Sequence, residues 1–193
     1  MNIFFLDTSN GLTVGLYKNN SWISYEQFEE KKPSEVLHRK IFEIAHKYNV
    51  LIENSTFISI AGPGSYTGMR LSEGMAQILK ICGTKIFSFY HFEVPRMTGI
   101  EQGSFCTNAF KNQFFFYDWN VDEGSSYLLN ADDVNFSKNV YSNMNLSLFS
   151  SVIQTSQLIK DHPEKIFNYV INRGTFLNSY YFRSLDEEFK SIC

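Results

Sequence analysis

The sequence predicts an α/β fold with a mixed sheet, three antiparallel strands leading into parallel ones, and three observations carry that reading. The chain opens with the unbroken apolar run Ile3-Phe4-Phe5-Leu6, which suits a strand covered on both faces. Alternation follows at once, with Leu12, Val14 and Leu16 against Thr13, Gly15 and Tyr17. The period then changes to helical at Leu37, Ile41, Ile44, Ala45 and Tyr48, before the short apolar segment Phe57–Ala61.

Taken in order, Asp7–Gly11 reads as a turn because Asn10-Gly11 tolerates positive φ. Lys18-Asn19-Asn20 is a second turn, and Trp22 to Gln27 a third strand. Ser34 is expected to cap the first helix behind Pro33, with Glu35 in its first turn. A second helix spans Arg70 to Cys82 and stops at Gly83, and Lys85 to Tyr90 is a strand. The order β-β-β-α-β-α-β fills residues 1–95 as an N-terminal lobe. Residues 96–193 form a smaller lobe that repeats the first in worn form. In it, Phe105–Ala109 and Gln113–Trp119 make a hairpin about Lys111-Asn112, and Leu128–Phe149 holds short strands and irregular segments. Helical pieces follow from Ser156 to Gly174, divided at Asp161-His162-Pro163-Glu164.

Bulk properties exclude several functions. With 193 residues, 44% hydrophobic and 19% charged, the chain has a globular composition. Its net charge of -3 provides no basic stripe for gripping nucleic acid directly. The opening Met1–Leu6 is too short and lacks the basic flank of a signal peptide, and no stretch is long and apolar enough to span a membrane, so a cytoplasmic protein is expected. Cys82, Cys106 and Cys193 have neither zinc nor disulfide spacing. His38 and His46 stand eight apart on one helix, too far to share a metal, and His91 and His162 read as surface or packing residues. No metal site is expected.

The segment A-G-P-G-S-Y-T-G-M-R, residues 61–70, joins a strand to a helix. Such a loop can hold a phosphate on its amides. It lacks the Gly-Lys-Ser/Thr ending of a P-loop, and Ser65 stands one place late for a G-x-S-x-G nucleophile. The favoured reading is a tight joint in which Gly62, Pro63, Gly64 and Gly68 shape the chain and Ser65 or Thr67 caps the helix. The helix beyond carries Met69, Leu71, Met75, Ala76, Ile78, Leu79, Ile81 and Cys82 nearly all the way round. Such a helix is covered on every side, either by its own fold or by a second molecule, and the chain's small size favours the second. Gly74 and Ala76 would let a neighbouring backbone approach.

The stretches F-L-D-T-S-N-G-L-T-V-G-L-Y and A-G-P-G-S-Y-T-G-M-R-L-S-E-G-M-A-Q-I-L-K, some fifty residues apart, resemble the TsaB (YeaZ) family, as does S-Y-Y-F-R-S-L-D-E-E-F near the end. Residues 1 to about 95 carry the match. The resemblance implies an actin-like ATPase (ASKHA, ribonuclease H-like) fold of two lobes with mixed sheets, the second reduced. It implies a non-catalytic subunit for N6-threonylcarbamoyladenosine modification of tRNA. The catalyst would be a TsaD partner, which bears an H-x-x-x-H metal pair that this chain lacks, with a TsaE ATPase joining the complex and tRNA bound only indirectly. Pairing, with TsaD or with a second copy, would use the first two helices, here Leu37, Ile41, Met69, Leu71, Gly74, Met75, Ile78 and Leu79, with Arg70 facing the partner or the loop. Asp7, Thr8 and Ser9 would be a remnant phosphate hairpin, and ATP or ADP with magnesium would sit at the partner interface. The rival readings are a small actin-fold ATPase or kinase acting alone, and a glycoprotease-like hydrolase. The first needs a second acidic residue where Asn108 stands; the second lacks a metal pair and a placed nucleophile.

Overall fold

A computed structural model describes residues 1–28, 33–110, 112–133, 139–147, 149 and 151–182. The first sheet holds β1 (Asn2–Asp7), β2 (Leu12–Lys18), β3 (Ser21–Phe28), β4 (Thr56–Ile60) and β5 (Lys85–Phe89) in the order β3-β2-β1-β4-β5. The two hairpin pairings are antiparallel and the β1–β4 and β4–β5 pairings parallel. Helix α1 (Pro33–Lys47) links β3 to β4, and α2 (Tyr66–Ile81) links β4 to β5.

The second sheet repeats this plan. Its strands β6 (Gly103–Asn108), β7 (Gln113–Trp119), β8 (Gly124–Asn130), β9 (Val140–Ser142) and β10 (Val152–Gln154) run in the order β10-β9-β6-β7-β8. Again the first three strands are antiparallel and the last two parallel to β6. Its reduction is concrete: no helix stands between β9 and β10 among the described residues. This is the two-lobed, actin-like α/β architecture that the resemblance implies. The first sheet is built from residues before 95 and the second from residues after it, but α4 (Thr155–Asp161) and α5 (Pro163–Arg173) return to the first sheet.

Burial follows the pleat. Phe4 and Leu6 face α1 and α2, while Ile3 and Phe5 face α3 (Val94–Met97), α4 and α5. Strand β2 corrects the sequence-based expectation of a half-buried strand. It is buried on both faces, because Phe167 of α5 covers Tyr17 with ring centroids 5.4 Å apart. Phe105 and Phe115 form one face of the second sheet, Cys106, Phe114 and Phe116 the other. Burial pushes the Cys106 thiol up to about 12, whereas Cys82 is exposed; Cys193 lies outside the described residues.

Two helix starts differ from expectation. Helix α1 begins at Pro33, whose fixed φ suits a first turn, so Ser34 sits inside the helix. Helix α2 begins at Tyr66, four residues before Arg70, because Ser65 has extended backbone angles and its hydroxyl accepts from the Gly68 amide at 3.1 Å. Ser65→Ala is expected to cost about 1 kcal/mol, read as a melting-temperature drop of a few degrees by circular dichroism.

Candidate functional site

The β1–β2 hairpin and the loop of residues 61–68 meet at the carboxyl ends of β1 and β4, and three glycines permit the contact. A Cβ on Gly64 would come within 2.5 Å of the Ser9 Cβ, and one on Gly68 would overlap the Thr8 carbonyl oxygen. Gly62 holds φ +107°, a left-handed value that favours glycine. Hydrogen bonds close the joint. The Ser65 amide donates to the Ser9 carbonyl at 2.8 Å, and the Thr8 hydroxyl to the Gly68 carbonyl at 2.6 Å.

The polar groups of Asp7, Thr8 and Ser9 therefore turn inward. Asp7 Oδ1 accepts from the Ser9 amide at 2.9 Å, and Oδ2 lies 3.3 Å from Nε2 of His91. Ser9 Oγ lies 2.7 Å from the same nitrogen. His91, fully buried, donates its backbone N–H to the Gly62 carbonyl at 2.8 Å. On its other side Nδ1 is 3.0 Å from Thr155 Oγ1, whose hydroxyl donates to the Ser142 carbonyl at 3.2 Å. Asn143 completes the junction. Its Nδ2 donates to Ser9 Oγ at 3.4 Å and to the Pro63 carbonyl at 3.1 Å, and its Oδ1 accepts from Thr107 on β6 at 2.7 Å.

This cluster ties the two sheets together through side chains that sequence reasoning left without partners: His91, Asn143, Thr155 and Thr107. They are separated in the chain, and no local spacing announces them. The cluster is not a hydrolytic triad. Such a triad needs serine and carboxylate on opposite imidazole nitrogens, whereas Ser9 and Asp7 share Nε2 and a threonine holds Nδ1.

Burial pushes the Asp7 carboxyl up, but attraction and hydrogen bonding from His91, with bonds from the Ser9 hydroxyl and amide, outweigh it. The net effect holds Asp7 below the 3.8 of a free side chain. A carboxyl with a lowered folded value stabilises the native state fully above its unfolded value, and that contribution fades as pH falls through the folded one. Urea denaturation from about pH 6 down to about pH 3 should show stability falling below about pH 4, with a shallower fall in Asp7→Asn.

Beside the joint lies a cleft of about 300 Å³ between the sheets, lined by Ser9, Asn10, Gly64, Asn108, Tyr181 and Phe182 among others. The residues here do not fit a magnesium nucleotide. Asp7 and Ser9 are bonded to His91, Thr8 is bonded to α2, and none of the lining residues is charged. Among the described residues no group of three or more His, Cys, Asp or Glu side chains could hold a metal ion, and no helix is long and apolar enough to cross a membrane.

The helix surface divides the other predicted residues. Leu37, Ile41 and Leu79 are buried in the core against the first sheet, and Met69 is buried beside Gly62, so these four of the residues expected at a partner interface are not on the surface of the chain. They fall on the faces that α1 turns to β2 and α2 turns to β4 and β5. Leu71 and Met75 are half-buried at the edge of that core. Ile78 and Ile81 point to solvent, 60% and 87% exposed, and a Cβ on Gly74 would meet nothing within 4 Å. Positions 74, 78 and 81 lie on one side of the helix. Phe42, 63% exposed, stands on α1, on the same side of the sheet. Helix α2 is thus apolar on two opposed faces and covered on one. Arg70 is exposed, with Nη2 3.0 Å from the Tyr66 hydroxyl. The tail resemblance is divided too: Tyr180, Tyr181 and Phe182 are placed, whereas Arg183 to Phe189 lie outside the described residues.

No protein-family model matches the chain, and no curated protein matches it. Two solved structures are similar over nearly the whole length. One is described as an uncharacterized protein with similarity to peptidase YEAZ from Pseudomonas aeruginosa, with a TM-score of 0.69 and 14% identity over 94% of this chain and 99% of that one. The other is YeaZ from Pseudomonas aeruginosa, with a TM-score of 0.65 and 15% identity over 93% of this chain and 99% of that one. With both lobes, the repeated strand order and the full length accounted for, the chain has the fold of YeaZ.

Proposed function

We propose that this chain is a non-catalytic scaffold subunit that pairs with a TsaD-type catalytic protein, and through it with a TsaE-type ATPase, in making N6-threonylcarbamoyladenosine in tRNA. The observation that carries the reading is the solvent-facing apolar side of α2, with Ile78 and Ile81 exposed beside the open Gly74. A packed helix with a second apolar face fits coverage by another protein. The inward-turned hairpin fits a subunit whose chemistry resides in its partner, and the net charge of -3 fits indirect contact with tRNA. Self-pairing through the same face competes with the partner in this reading. Residues 1–95, joined by α4 and α5, act as one lobe and the second sheet as the other in a cytoplasmic complex.

The test is co-purification of the tagged chain with TsaD from the same organism. Recovery in equal amounts is expected, and failure to recover TsaD at micromolar concentrations would count against the reading. A small ATPase or kinase acting alone would instead bind and turn over ATP with magnesium as an isolated chain, which calorimetry and phosphate release would detect.

A further inference from the structure

Residues 175–182 belong to no helix or strand, yet they touch both sheets. Along the edge of β5, the Ser88 amide donates to the Thr175 carbonyl at 3.2 Å, and Ser88 Oγ accepts from the Leu177 amide at 2.6 Å. The Tyr90 hydroxyl donates to the Asn178 carbonyl at 3.0 Å. The Tyr180 amide then donates to the Ala61 carbonyl at 2.7 Å, where the strap enters the joint. Gly62 makes room for it, since a Cβ there would lie 3.2 Å from the Tyr180 carbonyl oxygen.

From that anchor the side chains reach across. The Tyr180 ring packs against Phe92, after β5, at 5.4 Å between centroids, and against Phe115 of β7 at 5.3 Å. Phe182 lies 5.1 Å from Phe115, and Tyr181 lies 5.3 Å from Tyr66 at the start of α2. Ser179 Oγ donates to Glu73 Oε2 on α2 at 3.3 Å. Backbone bonds thus fix the strap to the first sheet, and aromatic rings fix it to the second. Tyr181 and Phe182 also form part of the wall of the cleft beside Ser9, Asn10 and Asn108.

We propose that residues 175–182 are a strap that holds the two sheets at one separation and sets the width of the cleft between them, and that releasing Tyr180 widens it. Bonds anchored on one body with rings seated in the other resist separation of the two. An irregular segment held by few backbone bonds is also the element most easily detached.

Hydrogen exchange of the full-length chain, read by mass spectrometry, tests this. In Tyr180→Ala, exchange is expected to rise about tenfold in segments 61–69 and 103–119 while α1, β2 and β3 hold their protection. Tyr180→Phe keeps the ring and should match the parent. Ser88→Ala removes the side-chain mortise for Leu177 and should raise exchange in the same two segments by a smaller factor. Unchanged exchange in both segments, an equal rise through α1, β2 and β3, or a phenylalanine variant as open as the alanine one would overturn the proposal.

Discussion

Gly68→Ala is expected to leave little folded protein, although alanine in place of glycine inside a helix ordinarily stabilises by up to about 1 kcal/mol. The new methyl would occupy the position of the Thr8 carbonyl oxygen. Neither side can withdraw. The first turn of α2 is held by the Ser65 cap, and the hairpin is held by the Ser65 amide on the Ser9 carbonyl and by the Asp7–Ser9 turn. Separation would also break the Thr8 hydroxyl bond to the Gly68 carbonyl. Overpacking against flexible side chains costs about 1–3 kcal/mol; two constrained backbones should cost more, a large share of a typical domain's stability of about 5–15 kcal/mol. Gly74→Ala on the same helix is the control. Its methyl meets nothing, so helix propensity alone should act, and a gain of up to about 1 kcal/mol is expected. Urea titrations of the two variants give the answer, and a similar change in both would show that the hairpin contact imposes no constraint.

The second large effect concerns binding. Ile78→Arg combined with Ile81→Arg should reduce capture of the proposed TsaD-type partner by a hundredfold or more, an estimate based on roughly 3–5 kcal/mol for an unpaired charge placed in a desolvated seam. Both side chains already face water, so the variant's melting temperature should stay within a degree or two of the parent's. That separation of effects makes these positions more informative than Met75, which is half-buried at the core edge and whose replacement by arginine would disturb folding as well. Equal recovery of partner by parent and variant would mean that this face is not the contact. Loss of binding together with loss of stability would point to core damage instead.

Periodicity and turn chemistry, being local, made most elements of the first sheet legible. The apolar run of β1, the alternation of β2, the helical spacing of α1 and the break at Asp161–Glu164 between α4 and α5 each rest on residues close together in the chain. Even the worn repetition in the second half appears as a repeated strand order. The glycines of the loop were legible as a joint, because no lysine or placed nucleophile accompanied them. Helix faces were less legible: Leu37, Ile41 and Leu79 have the same composition as residues of an interface, and only packing against the sheet assigns them to the core.

By itself, then, the amino-acid order determined which segments become strands and helices, and where the backbone needs glycine. Only the tertiary structure decided what those segments meet. It brought His91, Asn143 and Thr155 to the hairpin from positions 82 to 146 residues away from Ser9, and it engaged the hairpin's hydroxyls with His91, Asn143 and the Gly68 carbonyl. The physical reason is one of range. Backbone propensity and side-chain period act over a few residues, whereas the partner of a buried hydroxyl or imidazole is selected by whichever polar group the fold delivers to it, and a pairing across two sheets leaves no spacing to read.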